Sequence, residues 1–236
     1  MASERGSALL PARPVSNRRA PHALPCDRLV SLQSVDFVQI LVQFSVLLLS
    51  LTVHEAAHAW TADRLGDPTA RLLGRVTLNP AAHVDLIGTV LFPLVAMISN
   101  VPLIGWARPV PVNLRNLPHP RRDYLFVAAA GPVSNLLLAI LSAAIFRTAS
   151  PEAGGLAYGI LGTVLLLNVL LAVFNMVPIP PLDGGNVLAG LLPEPLAVSF
   201  DRLRPYGFII LYALMLTGIL WRLVRPVETL ILSWLL

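Results

Sequence analysis

The sequence predicts an all-α polytopic membrane protein built as a helical bundle, and three observations predict it. Of its 236 residues, 56% are hydrophobic and only 13% charged, with a mean hydropathy of +0.72; soluble domains carry about 25% charged residues. Apolar runs recur along the chain, several long enough to cross a bilayer core of about 30 Å. The 17 basic residues are all arginines and lie dispersed between the apolar runs. That distribution fits the charge bias that orients membrane helices and argues against a nucleic-acid binder, whose basic residues cluster on one face.

The elements follow in order. Residues 1–36 are polar, hold five arginines and four prolines, and contain no apolar run suited to a signal peptide; they read as a disordered tail. Their Cys26 is the sole cysteine, which excludes an intramolecular disulfide and any multi-cysteine metal site. Asp36 to about Asp63 forms the first span, followed by a loop with Arg64, Arg71 and Arg75. Residues 86–107 are uncharged but interrupted by Pro93 and Pro102. The next loop carries Arg108, Arg115, Arg121 and Arg122, and its "RPVPVNL" reads as extended chain, because each residue before a proline is pushed out of the helical region. Two clear spans cover 123–146 and 155–177. After the prolines of 178–181 come a short helix at 187–192, a span at about 206–221 and a short apolar piece, 226–236. The expected organisation is a tail 1–36, a membrane core 37–221 and a C-terminal segment 222–236, without heptads or internal repeats.

Chemistry enters at "VHEAAHAW", residues 53–60, at the end of the first span. On a helix, positions i and i+4 share a face, so His54 and His58 can present ring nitrogens to one metal ion. Glu55 is placed to act on water held by that ion rather than on the ion itself. Zinc lowers the pKa of its water to about 7, and a neighbouring carboxylate can shuttle the proton. An ionisable group at membrane depth costs about 2.5–3.5 kcal/mol, so three of them within five residues of an apolar helix are not an accident of composition.

Catalytic zinc usually takes three protein ligands. Two acids are candidates for the third: Asp85, with His83 two residues before it, and Asp183 in "FNMVPIPPLDGGNVL". The second stretch is favoured. Pro178, Pro180 and Pro181 stop the helix and are expected to run the backbone extended, turning Asp183 out of helical register. Gly184 and Gly185 are expected to supply a positive-φ turn that restarts a helix. Irregular backbone at membrane depth is tolerated only when buried in protein or lining a wet cavity. His83 and Asp85 either orient the metal ligands from behind or cap the segment that starts near Leu86, and capping is the preferred reading.

Together, "HEAAH" (His54 to His58) and "NMVPIPPLDGG" (Asn175 to Gly185) resemble the site-2 protease family of intramembrane zinc metalloproteases. "AGPVSN" (Ala130 to Asn135) resembles the family's Gly-Pro helix start, and "GRVTLNPAAHVDLIGTVLFP" and "GWARPVPVN" resemble its compact bacterial members, which lack a PDZ or CBS domain. The resemblance covers roughly residues 37–221. It implies one zinc held by His54, His58 and Asp183, Glu55 as general base, and cleavage within or near transmembrane segments of membrane-protein substrates. It also implies a multi-pass protein of the bacterial inner membrane with its site toward the cytosol. For Asn135 and Asn175 two readings stay open: contact with the substrate backbone or developing oxyanion, or helix–helix hydrogen bonds inside the bundle.

Two rival classes are a transporter, which would need repeats that are absent, and a scaffold that binds membrane helices without cutting them. Neither uses a glutamate between two histidines at zinc spacing. Topology supplies one more expectation. His58 and Asp183 each end an apolar segment, so both segments must run in one direction, with an odd number of crossings between them. Residues 123–146 supply one, so 86–107 should enter and return as a re-entrant hairpin bent near Pro93 and Pro102. The loops 63–85 and 108–122, with seven arginines, then share the cytosolic side. The five tail arginines argue the other way, but most of them lie farther from the membrane.

Overall fold

The structure is a computed structural model and describes residues 37–99 and 105–236; the tail with Cys26, and Pro102, lie outside them. Among the described residues the chain is helical and has no strand. Helix α1 (Phe37–Arg64) leads by a loop to the short α2 (Thr69–Leu72), and α3 is Phe92–Ser99. The long pair α4 (Pro120–Ala149) and α5 (Leu156–Asn175) follows, then α6 (Asp183–Leu191), α7 (Glu194–Asp201), α8 (Gly207–Leu216) and α9 (Ile219–Leu235). Helices α1, α4 and α5 are long and apolar enough to cross a membrane. The stretch Glu194–Leu216 with α9 makes a fourth crossing if that pair, bent by 78°, is one span.

The core lies where α4, α5, α8 and α9 meet. Ala139 and Ala143 of α4 face Leu165, Val169 and Val173 of α5, with Leu211, Met215, Leu220 and Val224 closing the other side. Small residues on α4 let the backbones approach, the usual means of helix association where lipid competes with every apolar contact. Leu137 and Leu141 of α4 and Leu166 of α5 point outward and are exposed, as a surface solvated by lipid requires.

Residues 86–107 behave as the crossing count demands. Leu86–Leu91 forms a π-helical turn that runs into α3, with Pro93 at the start of α3. On the way back, Trp106 N–H donates to the Gly88 carbonyl (3.0 Å) and Arg108 N–H to that of His83 (2.9 Å). The two ends therefore lie side by side and the segment does not cross. Gly88 permits this approach, since a Cβ there would sit 2.4 Å from the Trp106 ring. Asp85 caps the outgoing turn, accepting from the N–H groups of Ile87 and Gly88.

Three expectations are corrected. The stretch 177–182 is not extended but folds into consecutive turns, with Ile179 N–H donating to Val177 O and Leu182 N–H to Ile179 O, and Pro180–Pro181 is cis. Gly184 and Gly185 do not adopt positive φ; they are the first residues after Asp183 in α6. They are glycines because the turn folds back on them: a Cβ would lie 2.3 Å from Met176 O at the first and 2.7 Å from Pro180 N at the second. Finally, no single helix covers 206–221. Gly218 (φ +73°) breaks it, and α9 runs through the expected boundary at 221/222 with Leu220 and Val224 fully buried.

Candidate metal centre

Two helix ends and one turn build the centre. Position i and i+4 on α1 bring His54 and His58 to one face, and the turns after α5 deliver Asp183 at the start of α6. His54 Nε2 lies 3.1 Å from His58 Nε2 and 3.1 Å from Asp183 Oδ2, and His58 Nε2 lies 3.4 Å from the same oxygen. Tetrahedral ligands about 2.0–2.1 Å from zinc are separated by roughly 3.3 Å, so the three atoms are spaced as a zinc edge set.

The protons can be assigned from the neighbours. His58 Nδ1 faces the Val127 carbonyl at 2.7 Å, which only accepts, so Nδ1 carries a hydrogen and Nε2 is the nitrogen left to ligate. His54 is fixed through a longer chain of contacts. Asn168 Nδ2 donates to the Val164 carbonyl and to Ser50 Oγ, so Asn168 turns its Oδ1 to Asn135. Asn135 must then donate through Nδ2 (2.8 Å) and present Oδ1 to His54 Nδ1 at 2.6 Å. Both rings thus turn Nε2 to one point, together with a carboxylate oxygen that is buried and has no hydrogen bond. With Nε2 deprotonated on both rings, the three atoms would repel one another unless a cation lay between them, and a histidine–carboxylate donor set of this kind suits zinc.

Space for the ion comes from Gly131 on α4. A Cβ there would lie 2.4 Å from His58 Nε2 and 2.6 Å from His54 Nε2, filling the place where the lone pairs converge. Pro132 follows inside the helix.

A cavity of about 460 Å³ opens from the centre. Glu55 lines it beside both histidines, and Asn175, Tyr124 and Arg204 bring polar groups to it. Most of the remaining wall is apolar, with Pro109, Val110, Val112, Phe208 and Leu211 among its residues. Trp106 stacks edge-on against both Phe92 and Phe208, with centroids 5.2 and 6.3 Å apart, linking the hairpin to α8.

The two asparagines part company. Asn135 is fully buried and engaged with His54, whereas Asn175 lines the cavity while donating to the Leu171 carbonyl of its own helix. His83 is buried, with Nε2 on the Thr77 carbonyl (2.9 Å), and Asp85 is spent on its cap. Neither is hydrogen-bonded to His54, His58 or Asp183 among the described residues. Asn168 and Ser50 escaped the sequence reading. The signal was present, since Asn168 is an amide inside "LLLNVLL", the same anomaly that singled out Asn135.

Comparison with known proteins bears on this geometry. The model of Peptidase family M50 matches residues 43–153, a range that holds His54, Glu55, His58 and Asn135. The chain is 38% identical over 180 residues to "Putative zinc metalloprotease YwhC" of Bacillus subtilis, covering 72% of this chain and 78% of that one. It is 31% identical over 176 residues to "Putative zinc metalloprotease Rip2" of Mycolicibacterium smegmatis, covering 74% and 66%. A further match, 26% identical over 155 residues, is "Zinc metalloprotease MJ0392" of Methanocaldococcus jannaschii, of which 35% is covered. No solved structure matches the chain.

Proposed function

The chain belongs to peptidase family M50, the site-2 proteases, and on that premise we propose that this zinc metalloprotease of the membrane cuts peptide bonds within or near transmembrane segments of its substrates. The observation that carries the reading is the convergence of His54, His58 and Asp183 at a cavity set among helices long enough to cross a bilayer. In this reading the three residues hold one zinc per chain and Glu55 is the general base.

Bound zinc supplies Lewis acidity, polarising the scissile carbonyl and acidifying water to a pKa of about 7. The chain's own residues do the rest. The Glu55 carboxylate takes a proton from the attacking water and returns it to the departing amide nitrogen, so the C–N bond breaks with the proton count unchanged. Asn135 and the Val127 carbonyl keep Nδ1 of the two histidines protonated and so keep Nε2 free to ligate. In this reading Asn175, which lines the cavity, meets the substrate backbone.

Substrate helices hide their backbone hydrogen bonds, and each unsatisfied group in hydrocarbon costs several kcal/mol. An unwound segment needs replacement partners, and the Pro109–Val112 wall offers them by strand addition. We place the protein in a bacterial inner membrane with the cavity toward the cytosol, supported by the seven arginines of loops 63–85 and 108–122.

The test is Glu55→Gln. It should keep one zinc per chain and lose at least about a hundredfold in cleavage of a membrane-spanning peptide, the low end of general acid–base catalysis. Undiminished cleavage would remove Glu55 from the mechanism. Absence of zinc from the unmutated protein would favour a transporter or a non-cutting scaffold.

A further inference from the structure

The cavity wall formed by Arg108–Asn113 is held at both ends by side chains from the loop that follows α1. At one end, Arg75 Nη2 donates to the carbonyls of Arg108 and Pro109, each at 2.9 Å. At the other, Asp67 accepts from Asn113 N–H at 2.6 Å and from Asn116 Nδ2 at 2.7 Å. Asp67 is itself tied to α1, its N–H donating to Ala62 O at 2.9 Å. The wall is thereby referenced to the helix that carries His54, Glu55 and His58.

Both residues are buried. Burial raises the Asp67 carboxyl, but hydrogen bonds from Thr69, Asn116 and Asn113 outweigh it and hold Asp67 below the ordinary aspartate range. Burial and the neighbouring Arg108 both lower Arg75, with Glu55 pulling the other way. Arg75 has no carboxylate within ion-pair distance among the described residues. A buried cation without a counterion is costly, and its contacts here go to the wall's carbonyls.

Between the clamps the backbone is open. Residues 105–113 form neither helix nor turn, and Pro109 and Pro111 fix their own φ and bias Arg108 and Val110 to extended conformations. The Arg108 and Pro109 carbonyls and the Asn113 N–H are taken by Arg75 and Asp67, and the two prolines have no N–H to leave unpaired. Val110 and Val112 lie between the clamps, and neither makes a backbone hydrogen bond among the described residues.

We infer that Arg75 and Asp67 are positioning residues for substrate: they clamp Arg108–Asn113 as an open edge whose Val110 and Val112 backbone groups receive an unwound substrate strand. The inference rests on the protease reading above and names the residues that set substrate register. Zinc binding does not depend on them.

The experiment uses the full chain in its zinc-loaded Glu55→Gln form, which binds without cutting. The probe is a fluorescein-labelled single-span peptide with Gly-Pro at its centre. Arg75→Met should weaken peptide binding about tenfold, the loss of about one strong hydrogen bond, with one zinc per chain retained. Arg75→Lys should recover part of it, because an ammonium still donates to the carbonyls. Val112→Pro leaves the clamps intact and removes one N–H, and should weaken binding to a similar degree. Unchanged binding in Arg75→Met, or loss of its zinc, overturns the inference. Should Arg75→Met fail to fold, Val112→Pro decides, and unchanged binding there overturns it equally. Failure of the unmutated protein to cut the same peptide would count against the protease reading, whereas the binding series judges the clamps alone.

Discussion

Arg108–Asn113 and Val177–Asp183 both border the cavity, both are proline-rich, and both read from sequence as extended chain. The first spaces Pro109 and Pro111 one residue apart, and it stays open between two clamps. The second sets Pro180 against Pro181 and is followed by Gly184 and Gly185, and it folds into consecutive turns packed on those glycines. Alternating prolines leave the N–H groups of Val110 and Val112 available. Adjacent prolines with no Cβ behind them let the backbone double back on itself. The first arrangement offers backbone to a partner; the second consumes its own backbone to aim one carboxylate.

The largest effect expected from this contrast is at Gly184. A side chain there meets Met176 O at 2.3 Å, a backbone atom that cannot rotate aside, and overpacking of this kind costs about 1–3 kcal/mol or more. Gly184→Val should displace Asp183 and empty the metal centre, matching Asp183→Ala in zinc content, while Asp85→Ala and Val110→Ala keep one zinc per chain. Metal analysis of the four purified variants decides it. Zinc retained by Gly184→Val and Asp183→Ala but lost from Asp85→Ala would move the third ligand to Asp85.

A smaller effect is expected from the substrate side. If the open stretch receives unwound backbone, helices loosened by Gly or Pro near the cut should be cleaved about tenfold faster than stiff leucine-rich ones, equivalent to about 1.4 kcal/mol of unwinding. Rates measured on matched single-span peptides test this. Equal rates would leave the open stretch without a role in catalysis.

The contrast also marks what a sequence can disclose. That His54, Glu55, His58 and Asp183 meet at one cavity was legible because ionisable groups in apolar surroundings have few explanations. The hairpin at 86–107 was legible because two residues meeting at one point constrain the number of crossings. What was not legible depends on distance across the fold. The glycines after Asp183 look like turn residues in a row of letters, and only the returning Met176 and Pro180 show that their missing Cβ is the point. Asn135 could have faced substrate or helix until Asn168 and Val164 fixed which way its amide turns. The break at Gly218 lay within a run whose hydropathy is continuous, and hydropathy carries no information about φ.

The smallest perturbation tests the frame that brings both stretches to one cavity. Helix α1 carries His58 at its end and α5 leads into Asp183, so these two helices run parallel and α4 alone crosses between them. That count holds only if 86–107 returns, as the Arg108 to His83 and Trp106 to Gly88 hydrogen bonds indicate. Leu78 and Arg115 stand on either side of the segment and are both exposed. With Cys26 the sole cysteine, a Cys26→Ser background carrying Leu78→Cys or Arg115→Cys gives one reactive thiol at each position. A membrane-impermeant maleimide should label both from the same side, and with seven arginines in the two loops that side should be the cytosol. Cleavage should be unaffected, since neither residue touches the cavity. Labelling from opposite sides would make 86–107 a true crossing, set α1 and α5 antiparallel, and put His58 and Asp183 at opposite faces of the membrane.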